Sequence, residues 1–412
     1  MRAAGVPDAA RDSFARLFER LLAGDSGSIH GDELEPVHDL PSFDELPPEP
    51  DAGALDRAVV IKLNGGLGTS MGLHGPKSLI EVKPGVTFLD VIVRQVQALR
   101  RRHDVRLPLV LMNSFSTGEP TQKALERYQD PGVEDFLQSM EPKLLADSLE
   151  PVEWPSDPGL EWAPPGHGDI YPSLVGSGML DALIERGYDY AFVSNSDNLG
   201  AVLEPRILAW LAAERLPFVM EVAEGVAGDR KGGHIARREG RLVLRETAQA
   251  PEGDDSFGDY RRWRHYNTNN LWISLAALAE RGGALDLPLI VNRKTVDPSD
   301  PSSPEVVQLE TAMGAAVGAL DGAGALRVPR TRFAPVKTTN DLLVVRSDAY
   351  VLREDDAHVE PAPERAGMEP PVVDLDPRYF KLLDDFEARF PSGPPSLLRA
   401  ERLVVRGDVT FP

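Results

Sequence analysis

A cluster of glycines followed by a lysine is the part of this sequence best suited to chemistry. The stretch VVIKLNGGLGTSMGLHGPKSLI covers residues 59–80 and ends shortly after Lys77. Its first four glycines are Gly65, Gly66, Gly68 and Gly72. Because glycine has no Cβ, backbone N–H groups in such a loop can approach a phosphate, and the lysine adds a mobile positive charge. The β-branched run at 59–61 predicts a buried strand before the loop. The stretch therefore predicts a loop that binds a nucleotide triphosphate.

Two better-known phosphate loops do not fit this spacing. A P-loop requires Gly-Lys-Ser/Thr after a glycine and four residues, but here Pro76 separates Gly75 from Lys77. A dinucleotide loop requires GxGxxG, whereas the glycines of residues 66–72 follow GxGxxxG. A purely structural turn is the alternative for a glycine cluster. The strand before the loop and the GPKS after it favour phosphate binding.

Several polar residues near apolar segments could also contact a substrate. Asp197 lies in SNSDNLG directly after the apolar run 191–193, and a carboxylate at the end of a strand can hold Mg²⁺ against a phosphate. Its alternative role is in an Asx turn, which is compatible with a metal site. Lys337 lies in PVKTTND, which taken alone is equally well a polar loop before a strand. The amides of Asn267 and Asn269 both donate and accept hydrogen bonds, which suits sugar hydroxyls.

The glycine loop also carries a family resemblance. KLNGGLGTSMG followed by GPKSLI resembles the signature of the eukaryotic-type UTP–glucose-1-phosphate uridylyltransferases, or UDP-glucose pyrophosphorylases. Matching blocks recur as PPGHGDIYPSL (164–174), VSNSDNLGA (193–201), YNTNNLWISL (266–275), VVQLETAMGAAV (306–317) and VPRTRFAPVKTTNDLLVVRSDAY (328–350). The resemblance implies a nucleotidyltransferase that forms UDP-glucose and pyrophosphate from UTP and glucose 1-phosphate, reversibly, with Mg²⁺ as its cofactor.

The resemblance implies a role for each matching residue. Lys337 and Lys77 would be catalytic, and Asp197 would hold the metal. The residues implied to contact the nucleotide are Leu63, Asn64, Gly65, Gly66, Lys77, Gln138, Gly166 and Asp197. Those implied to contact the sugar phosphate are Gly65, Gly66, His167, Asn195, Asn267, Asn269 and Glu310. Plainer alternatives exist, since a lone histidine more often packs and Glu310 could merely cap a helix. Lys231 could be a phosphate contact or a surface side chain.

Alternating apolar and helical patterns predict an α/β fold. Predicted strands cover 58–63, 108–112, 190–194, 217–222 and 342–346, with a hairpin at 237–246. Predicted helices cover 88–102, 119–129, 204–215 and 309–320, after an amphipathic N-terminal helix. The resemblance implies a Rossmann-like mixed, mostly parallel sheet flanked by helices, of the nucleotide-diphospho-sugar transferase type. It also implies a short C-terminal remnant of a left-handed β-helix.

Composition divides the chain into four predicted segments. Residues 1–57 would form an N-terminal helix and extended linker, and 58–352 the catalytic domain. Residues 353–378, rich in proline and acid, would form a linker, and 379–412 a short C-terminal region. Because the family's β-helix can mediate assembly and is almost absent here, a monomer is expected.

The charge and residue content of the 412-residue chain exclude several classes of function. A net charge of −21 argues against nucleic acid as a partner, because binding a phosphate backbone needs a basic surface. The sequence has no cysteine, which excludes thiolate metal sites and cysteine nucleophiles. It shows neither an apolar run long enough to span a membrane nor a signal peptide, so a cytoplasmic location is expected without membrane partners.

Two alternatives to the implied reaction stay open from the sequence. The sugar 1-phosphate could be another one, such as that of galactose or N-acetylglucosamine. The protein could also bind UTP or a UDP-sugar without turnover. The mark of such a binding protein would be loss of Lys77, Asp197 or Lys337, and all three are present.

Overall fold

The computed structural model describes residues 1–48, 51–73, 75–128, 132–226, 229 and 232–412. Its α-helices are Asp8–Leu22, Ala52–Leu55, Phe88–His103, Gly118–Leu125, Ile170–Gly176, Met179–Glu185, Pro205–Glu214, Tyr260–Trp263, Leu275–Glu280, Ala316–Ala319, Thr339–Arg346, Pro377–Phe380 and Leu383–Ala388. Its strands of three or more residues are Ala58–Leu63, Glu81–Lys83, Leu109–Asn113, Val133–Leu137, Tyr190–Asn195, Phe218–Glu224, His234–Arg238, Arg241–Arg245, His265–Ser274, Ile290–Thr295, Glu305–Glu310, Gly324–Arg327, Tyr350–Leu352, Val359–Pro361, Val372–Leu375 and Arg402–Val405.

Most predicted elements up to residue 250 are confirmed within a few residues. The strand predicted at 58–63 is Ala58–Leu63, and the helix predicted at 88–102 is Phe88–His103. The predicted hairpin is also present, with His234–Arg238 pairing antiparallel with Arg241–Arg245. These segments have clear periodicity and clear end signals, so local sequence was sufficient to assign them.

The strand predicted at 342–346 is wrong. These residues form the second half of helix Thr339–Arg346. Thr338 and Asp341 begin the helix with a capping box, in which each side chain accepts a backbone N–H from the other residue. This start signal, together with burial of one helix face, outweighs the β-propensity of the LLVV run.

The helix predicted at 309–320 is also wrong over most of its length. Glu310 is the last residue of strand Glu305–Glu310, which pairs antiparallel with Ile290–Thr295. Only Ala316–Ala319 is α-helical. The strand prevails because its four central residues are buried and it pairs with strands on both sides, which the sequence pattern does not reveal.

Contacts within the described residues group into two compact units, and each is built from separated parts of the chain. The first unit comprises Met1–Val59, Phe136–Val193 and Glu204–Pro329. The second unit comprises Val60–Asp135, Ser194–Leu203 and Arg330–Pro412. The four segments predicted from composition are a different division of the chain and stay predictions. Within the described ranges, no helix has both the length and the apolar character needed to cross a membrane.

A mixed sheet forms the centre of the first unit. Strand His265–Ser274 pairs antiparallel with residues 190–193 on one side and with Phe218–Glu224 on the other. Phe218–Glu224 in turn pairs in parallel with Gly324–Arg327. Strand His265–Ser274 is buried over most of its length, which fits a central strand covered on both faces. This strand also carries the asparagines that the sequence singled out.

The second unit is built around a parallel strand pair and one long helix. Strand Ala58–Leu63 enters this unit at Val60 and pairs in parallel with Leu109–Asn113. Both strands are fully buried. Helix Phe88–His103 lies between these two strands in the sequence. The basic residues in its last turn complement the helix dipole. The parallel pair directs the glycine loop out of the carboxyl end of its first strand, where α/β sheets bind ligands.

A single buried arginine organises the C-terminal part of the second unit. The Arg365 side chain is 2% exposed. Its guanidinium donates to the backbone carbonyls of Leu397, Leu398 and Ala400 at 3.0 Å each, and to that of Glu369 at 2.6 Å. A guanidinium has several donors and no acceptor, so a ring of carbonyls satisfies it and fixes the segments that supply them.

The C-terminal strands pair with each other. Val372–Leu375 and Arg402–Val405 lie parallel, with Leu375 opposite Val405. Both of these residues are buried in the apolar core of the second unit. The parallel pairing ties the end of the chain to residues just before the short C-terminal helices. The predicted remnant of a left-handed β-helix stays a prediction.

Glu141 and Asp169 are two of the buried carboxyl groups of the first unit. Glu141 Oε1 accepts the N–H of Leu309 at 2.8 Å, and its Oε2 has no hydrogen-bond partner among the described residues. Asp169 Oδ2 accepts the N–H of Ser139 at 2.6 Å and the hydroxyl of Ser173 at 2.7 Å. Burial raises the pKa of Glu141 well above its ordinary value and raises the pKa of Asp169 to about 6. The hydrogen bonds to each carboxylate oppose this effect without cancelling it.

The raised pKa of Asp169 predicts a pH-dependent stability. An unfolded Asp loses its proton near pH 4 and the folded one near pH 6, so the free energy of unfolding falls as pH rises through that window. The fall amounts to about 3 kcal/mol and is complete above pH 6. Asp169→Asn keeps an acceptor but cannot ionise, so its stability should rise relative to the unsubstituted protein between pH 4 and 6.5. Urea unfolding at several pH values measures the difference.

A matched control for this experiment is Asp286→Asn. Asp286 lies in the same unit, and its side chain is 92% exposed. Its profile should run parallel to that of the unsubstituted protein. The prediction fails if the Asp169→Asn profile runs parallel as well.

Candidate functional site

The glycine loop leaves the end of strand Ala58–Leu63 and closes on itself before Lys77. The N–H of Lys77 donates to the carbonyl of Gly66 at 3.2 Å. A Cβ at Gly68 would lie 2.4 Å from Cδ1 of Leu73, so this glycine allows the loop to fold back closely. A Cβ at Gly66 would meet nothing within 4 Å. Gly66 is also exposed, so its main chain is open to a ligand.

Polar groups of Leu63 and Asn64 form hydrogen bonds within the protein. The carbonyl of Leu63 accepts the N–H of Ser196 at 3.2 Å. The Asn64 side-chain amide donates to Oδ1 of Asn113 at 2.7 Å and to Oγ1 of Thr121 at 2.9 Å, and it is 2% exposed. A ligand at this turn would therefore contact main-chain groups, as the resemblance implies.

Asp197 lies in a loop that is held in place by hydrogen bonds from a buried lysine. Strand Tyr190–Asn195 ends two residues before it. Lys62 is 2% exposed, and its Nζ donates to Oγ of Ser194 at 2.7 Å and to the carbonyl of Ala201 at 2.6 Å. These contacts fix both ends of the loop. The predicted position of the aspartate at the carboxyl end of a strand is confirmed.

Lys77 and Asp197 form an ion pair. Nζ of Lys77 lies 2.6 Å from Oδ2 of Asp197, and the two side chains are only 15% and 17% exposed. Oδ1 of Asp197 is buried without a hydrogen-bond partner among the described residues. An orphaned carboxylate oxygen suits a hard cation such as Mg²⁺, which usually takes one or two carboxylates with phosphate oxygens and water. Nowhere in the described ranges do three or more His, Asp or Glu residues form a metal-binding group.

The residue before Lys337 in the sequence is hydrogen-bonded to the loop that carries Asp197. The N–H of Val336 donates to the carbonyl of Asp197 at 3.0 Å. Lys337 itself stands two residues before helix Thr339–Arg346, not before a strand as predicted. Its side chain is exposed, and its ammonium group has no hydrogen-bond or ion-pair partner among the described residues. The ammonium of Lys337 is therefore accessible for pairing with an anionic ligand.

In the first unit, Gly166 and His167 form a tight turn against a neighbouring loop. Gly166 has φ +77°, and a Cβ there would lie 2.7 Å from the carbonyl of Thr311. Both facts require glycine at this position. Nδ1 of His167 accepts the N–H of Met313 at 2.9 Å. This bond requires Nδ1 to be free of a proton, so the neutral ring presents Nε2–H.

Gln138 lies next to the same turn. Its neighbour Ser139 donates its N–H to Asp169 Oδ2 at 2.6 Å, and Asp169 follows His167 by two residues. The structure thus brings Gln138 and the turn at Gly166 together, although 27 residues separate them in sequence. The sequence did not reveal this connection, because it passes through a buried carboxylate.

Asn267 and Asn269 bond to each other. Nδ2 of Asn267 donates to Oδ1 of Asn269 at 2.8 Å, and the N–H of Asn269 donates to Oδ1 of Asn267 at 2.9 Å. Asn269 has φ +58°, a left-handed conformation that asparagine tolerates better than most residues. Glu310 lies at a strand end and pairs with Lys294 at 3.4 Å, so its alternative as a helix cap is wrong.

The predicted residues therefore fall into two groups, one in each unit. The second unit contains Leu63, Asn64, Gly65, Gly66, Lys77, Asn195, Asp197 and Lys337. The first unit contains Gln138, Gly166, His167, Asn267, Asn269 and Glu310. Lys231 lies outside the described residues, so its role stays open. Two residues that hold the site together, Lys62 and Asp341, were not predicted. Lys62 could have been found as a lysine inside an apolar strand, and Asp341 from the Thr-x-x-Asp spacing of a capping box.

Comparison with known proteins gives consistent matches. A family model described as UTP--glucose-1-phosphate uridylyltransferase matches residues 11–412. The UTP--glucose-1-phosphate uridylyltransferase of Hordeum vulgare is 42% identical over 411 residues, which cover 97% of this chain and 85% of the relative. That of Solanum tuberosum is 41% identical over 414 residues, with the same coverage of both chains.

Solved structures match almost the whole chain. A tryptophan-substituted UDP-glucose pyrophosphorylase from Leishmania major, in complex with UDP-glucose, covers 99% of this chain and 89% of its own with 46% identity and a TM-score of 0.94. A UDP-glucose phosphorylase from Trypanosoma brucei covers the same shares with 44% identity and a TM-score of 0.92. The mixed α/β fold with a large central sheet is thereby confirmed. This chain belongs to the UTP–glucose-1-phosphate uridylyltransferase family.

Proposed function

We propose that this protein transfers the uridylyl group of UTP to glucose 1-phosphate, giving UDP-glucose and pyrophosphate, and that it also catalyses the reverse reaction. The observation that carries the proposal is the convergence of the glycine loop, Lys77, Asp197 and Lys337 within the second unit. Three groups suited to phosphate and one carboxylate suited to a metal ion, from segments as distant in sequence as Gly65 and Lys337, are joined there by hydrogen bonds and one ion pair. Family membership supports the same reaction.

The chemistry needs positioning and neutralisation of charge. An oxygen of glucose 1-phosphate attacks the α-phosphorus of UTP, and pyrophosphate leaves in line. Both substrates are anions, so cations that face the reacting phosphate stabilise the transition state most. Lys337, whose ammonium is unpaired in the part of the chain that the structure describes, is the proposed catalytic cation. Lys77 would exchange Asp197 for the phosphates of UTP.

Asp197 is the proposed ligand of Mg²⁺. Its Oδ1 is buried without a partner among the residues described, and its Oδ2 pairs with Lys77, which a phosphate of UTP would take over. A bound Mg²⁺ would neutralise charge on the phosphate oxygens. The protein's own part is to hold the carboxylate in place through the loop that Lys62 fixes.

The first unit is proposed to recognise the two organic parts of the substrates. The main chain of Gly166 and the amide of Gln138 would contact the uracil, and Nε2 of His167 would face the sugar phosphate. Asn267, Asn269 and Glu310 would contact sugar hydroxyls. The rigid mutual bonding of the two asparagines supports a preorganised contact, because their amides need no reordering on binding.

Four finer points accompany this proposal. The nucleotide-diphospho-sugar transferase type of the fold is supported by family membership, and the start of a left-handed β-helix by the parallel C-terminal strands. A monomeric state and a cytoplasmic location rest on the sequence alone. None of the four alters the reaction.

The first test measures the reaction itself. Purified protein with UTP, Mg²⁺ and a panel of glucose, galactose and N-acetylglucosamine 1-phosphates should release pyrophosphate fastest with glucose 1-phosphate. A faster rate with another sugar would favour a broader UDP-sugar pyrophosphorylase. No release with any sugar, combined with tight UTP binding in calorimetry, would favour a non-catalytic binding protein.

The second test separates the two lysines. Lys337→Ala should lower kcat by roughly 10² or more, because one preorganised cation facing the transition state is worth about 3 kcal/mol. Lys77→Ala should act more on UTP affinity, since this lysine belongs to the triphosphate loop. Lys337→Arg should restore only part of the rate, because a planar guanidinium does not replace a compact ammonium. Steady-state kinetics and UTP calorimetry measure both effects.

An exposed lysine of the same unit, Lys123, provides the control for charge removal. Lys123→Ala should leave both parameters unchanged. A normal kcat in Lys337→Ala together with a large loss in Lys77→Ala would reverse the assignment.

The third test concerns the metal. Asp197→Asn keeps the size of the side chain but removes its charge, so the Mg²⁺ concentration for half-maximal rate should rise about tenfold or more. Glu119→Gln removes an exposed carboxylate of the same unit and should not shift that concentration. An unchanged Mg²⁺ dependence in Asp197→Asn would exclude Asp197 as the metal ligand.

A further inference from the structure

The backbone of Lys337 is held on its C-terminal side by one carboxylate oxygen. Oδ2 of Asp341 accepts the N–H of Lys337 at 2.9 Å, the N–H of Thr338 at 2.8 Å and the hydroxyl of Thr338 at 3.0 Å. Three donors on a single oxygen make a rigid junction, because a carboxylate is a strong acceptor in a fixed plane.

The backbone before Lys337 is held to the Asp197 loop. The N–H of Val336 donates to the carbonyl of Asp197 at 3.0 Å. Asn198 is 2% exposed, and its side chain accepts the N–H of Ala334 at 3.0 Å and donates to the carbonyl of Arg332 at 3.1 Å. Residues 332–336 are therefore fixed relative to the proposed metal ligand.

The helix after Lys337 has anchors of its own. Oγ1 of Thr339 donates to the carbonyl of Phe380 at 2.7 Å, and Oδ1 of Asn340 accepts the N–H of Leu375 at 3.1 Å. Lys337 thus bridges two anchored segments. Its own side chain has no partner within the described ranges, so hydrogen bonds to the main chain around it are what limit where its ammonium can reach.

Helix capping alone does not account for the contacts of Asp341. In a capping box, the residue at the third helical position needs to accept only the N–H of the cap residue, here Thr338. Asp341 also accepts the N–H of Lys337, which lies outside the helix. A negative charge beside a site for two anions opposes their binding, and an uncharged side chain could serve the cap equally well.

We propose that Asp341 is a positioning residue for Lys337, which sets where its ammonium stands relative to the Asp197 loop. The inference rests on the proposed catalytic role of Lys337. Asp341 touches no substrate. It acts on kcat by fixing the peptide that carries the lysine, so its effect should disappear when the lysine is absent.

A double-mutant cycle tests the inference. Asp341→Ala should lower kcat about tenfold or more in the unsubstituted protein, with a smaller change in KM for glucose 1-phosphate. In the Lys337→Ala background, the same substitution should change kcat by less than about twofold. Asp341→Asn keeps an acceptor oxygen but forms weaker hydrogen bonds than a carboxylate, so its kcat should lie between those of the unsubstituted protein and Asp341→Ala.

Ser274→Ala is the control for loss of a helix cap. Ser274 caps helix Leu275–Glu280 by accepting the N–H of Ala277 at 3.4 Å, and it lies in the other unit. Its loss should lower stability without changing kcat. Should Asp341→Ala fail to fold, Asp341→Glu serves instead, because it keeps the charge but displaces the acceptor by one methylene. That variant should also lose kcat.

The outcomes separate the two ideas. An equal loss of kcat from Asp341→Ala in both backgrounds, or no loss in either, overturns the positioning role and leaves the role of Lys337 intact. Full activity of Asp341→Glu in the single variant also overturns it. A normal kcat in Lys337→Ala overturns the proposed catalytic role, and the positioning role with it.

Discussion

Main-chain hydrogen bonds between loops are the constraint on which the second unit depends. The N–H of Ser196 donates to the backbone carbonyl of Leu63, at the start of the glycine loop. The N–H of Val336 donates to the backbone carbonyl of Asp197. Three segments that are far apart in sequence are thereby held within a few ångströms of one another. Because the bonds use main-chain groups, they make no demand on the side chains between them, which can instead carry charge.

The ion pair between Lys77 and Asp197 has a role in a protein with a net charge of −21. Each charge is mostly buried, and a mostly buried charge without a partner is costly. In the proposed reaction, a triphosphate would replace Asp197 as the partner of the lysine, and Asp197 would be free to hold a metal cation. Each charge would then keep a partner, so substrate binding would leave neither residue unpaired.

Local signals decided what could be predicted from the sequence. Asp197 was found because an apolar strand followed by turn-forming residues is a strong local pattern, and the glycine loop was found for a similar reason. The element after Lys337 is predicted wrongly, because the apolar LLVV run indicates a strand more strongly than the capping box at 338–341 indicates a helix. Glu310 was misplaced because its strand is specified by pairing with Ile290–Thr295 and with the distant Leu144–Leu145, which local sequence does not reveal. The link from Gln138 to the turn at Gly166 could not be predicted at all, because it passes through the side chain of Asp169.

The discontinuous second unit has a consequence for how the protein must fold. Its three segments include Arg330–Pro412, which supplies Leu342, Leu343 and much of the apolar core around Phe88. Strand Ala58–Leu63 and helix Phe88–His103 are synthesised early. More than 200 further residues must be added before this core can form. Such long-range closure is slow and leaves apolar surface exposed meanwhile. The second unit can therefore be completed only after residues 330–412 have been made, so a nascent chain would lack the proposed phosphate site until then.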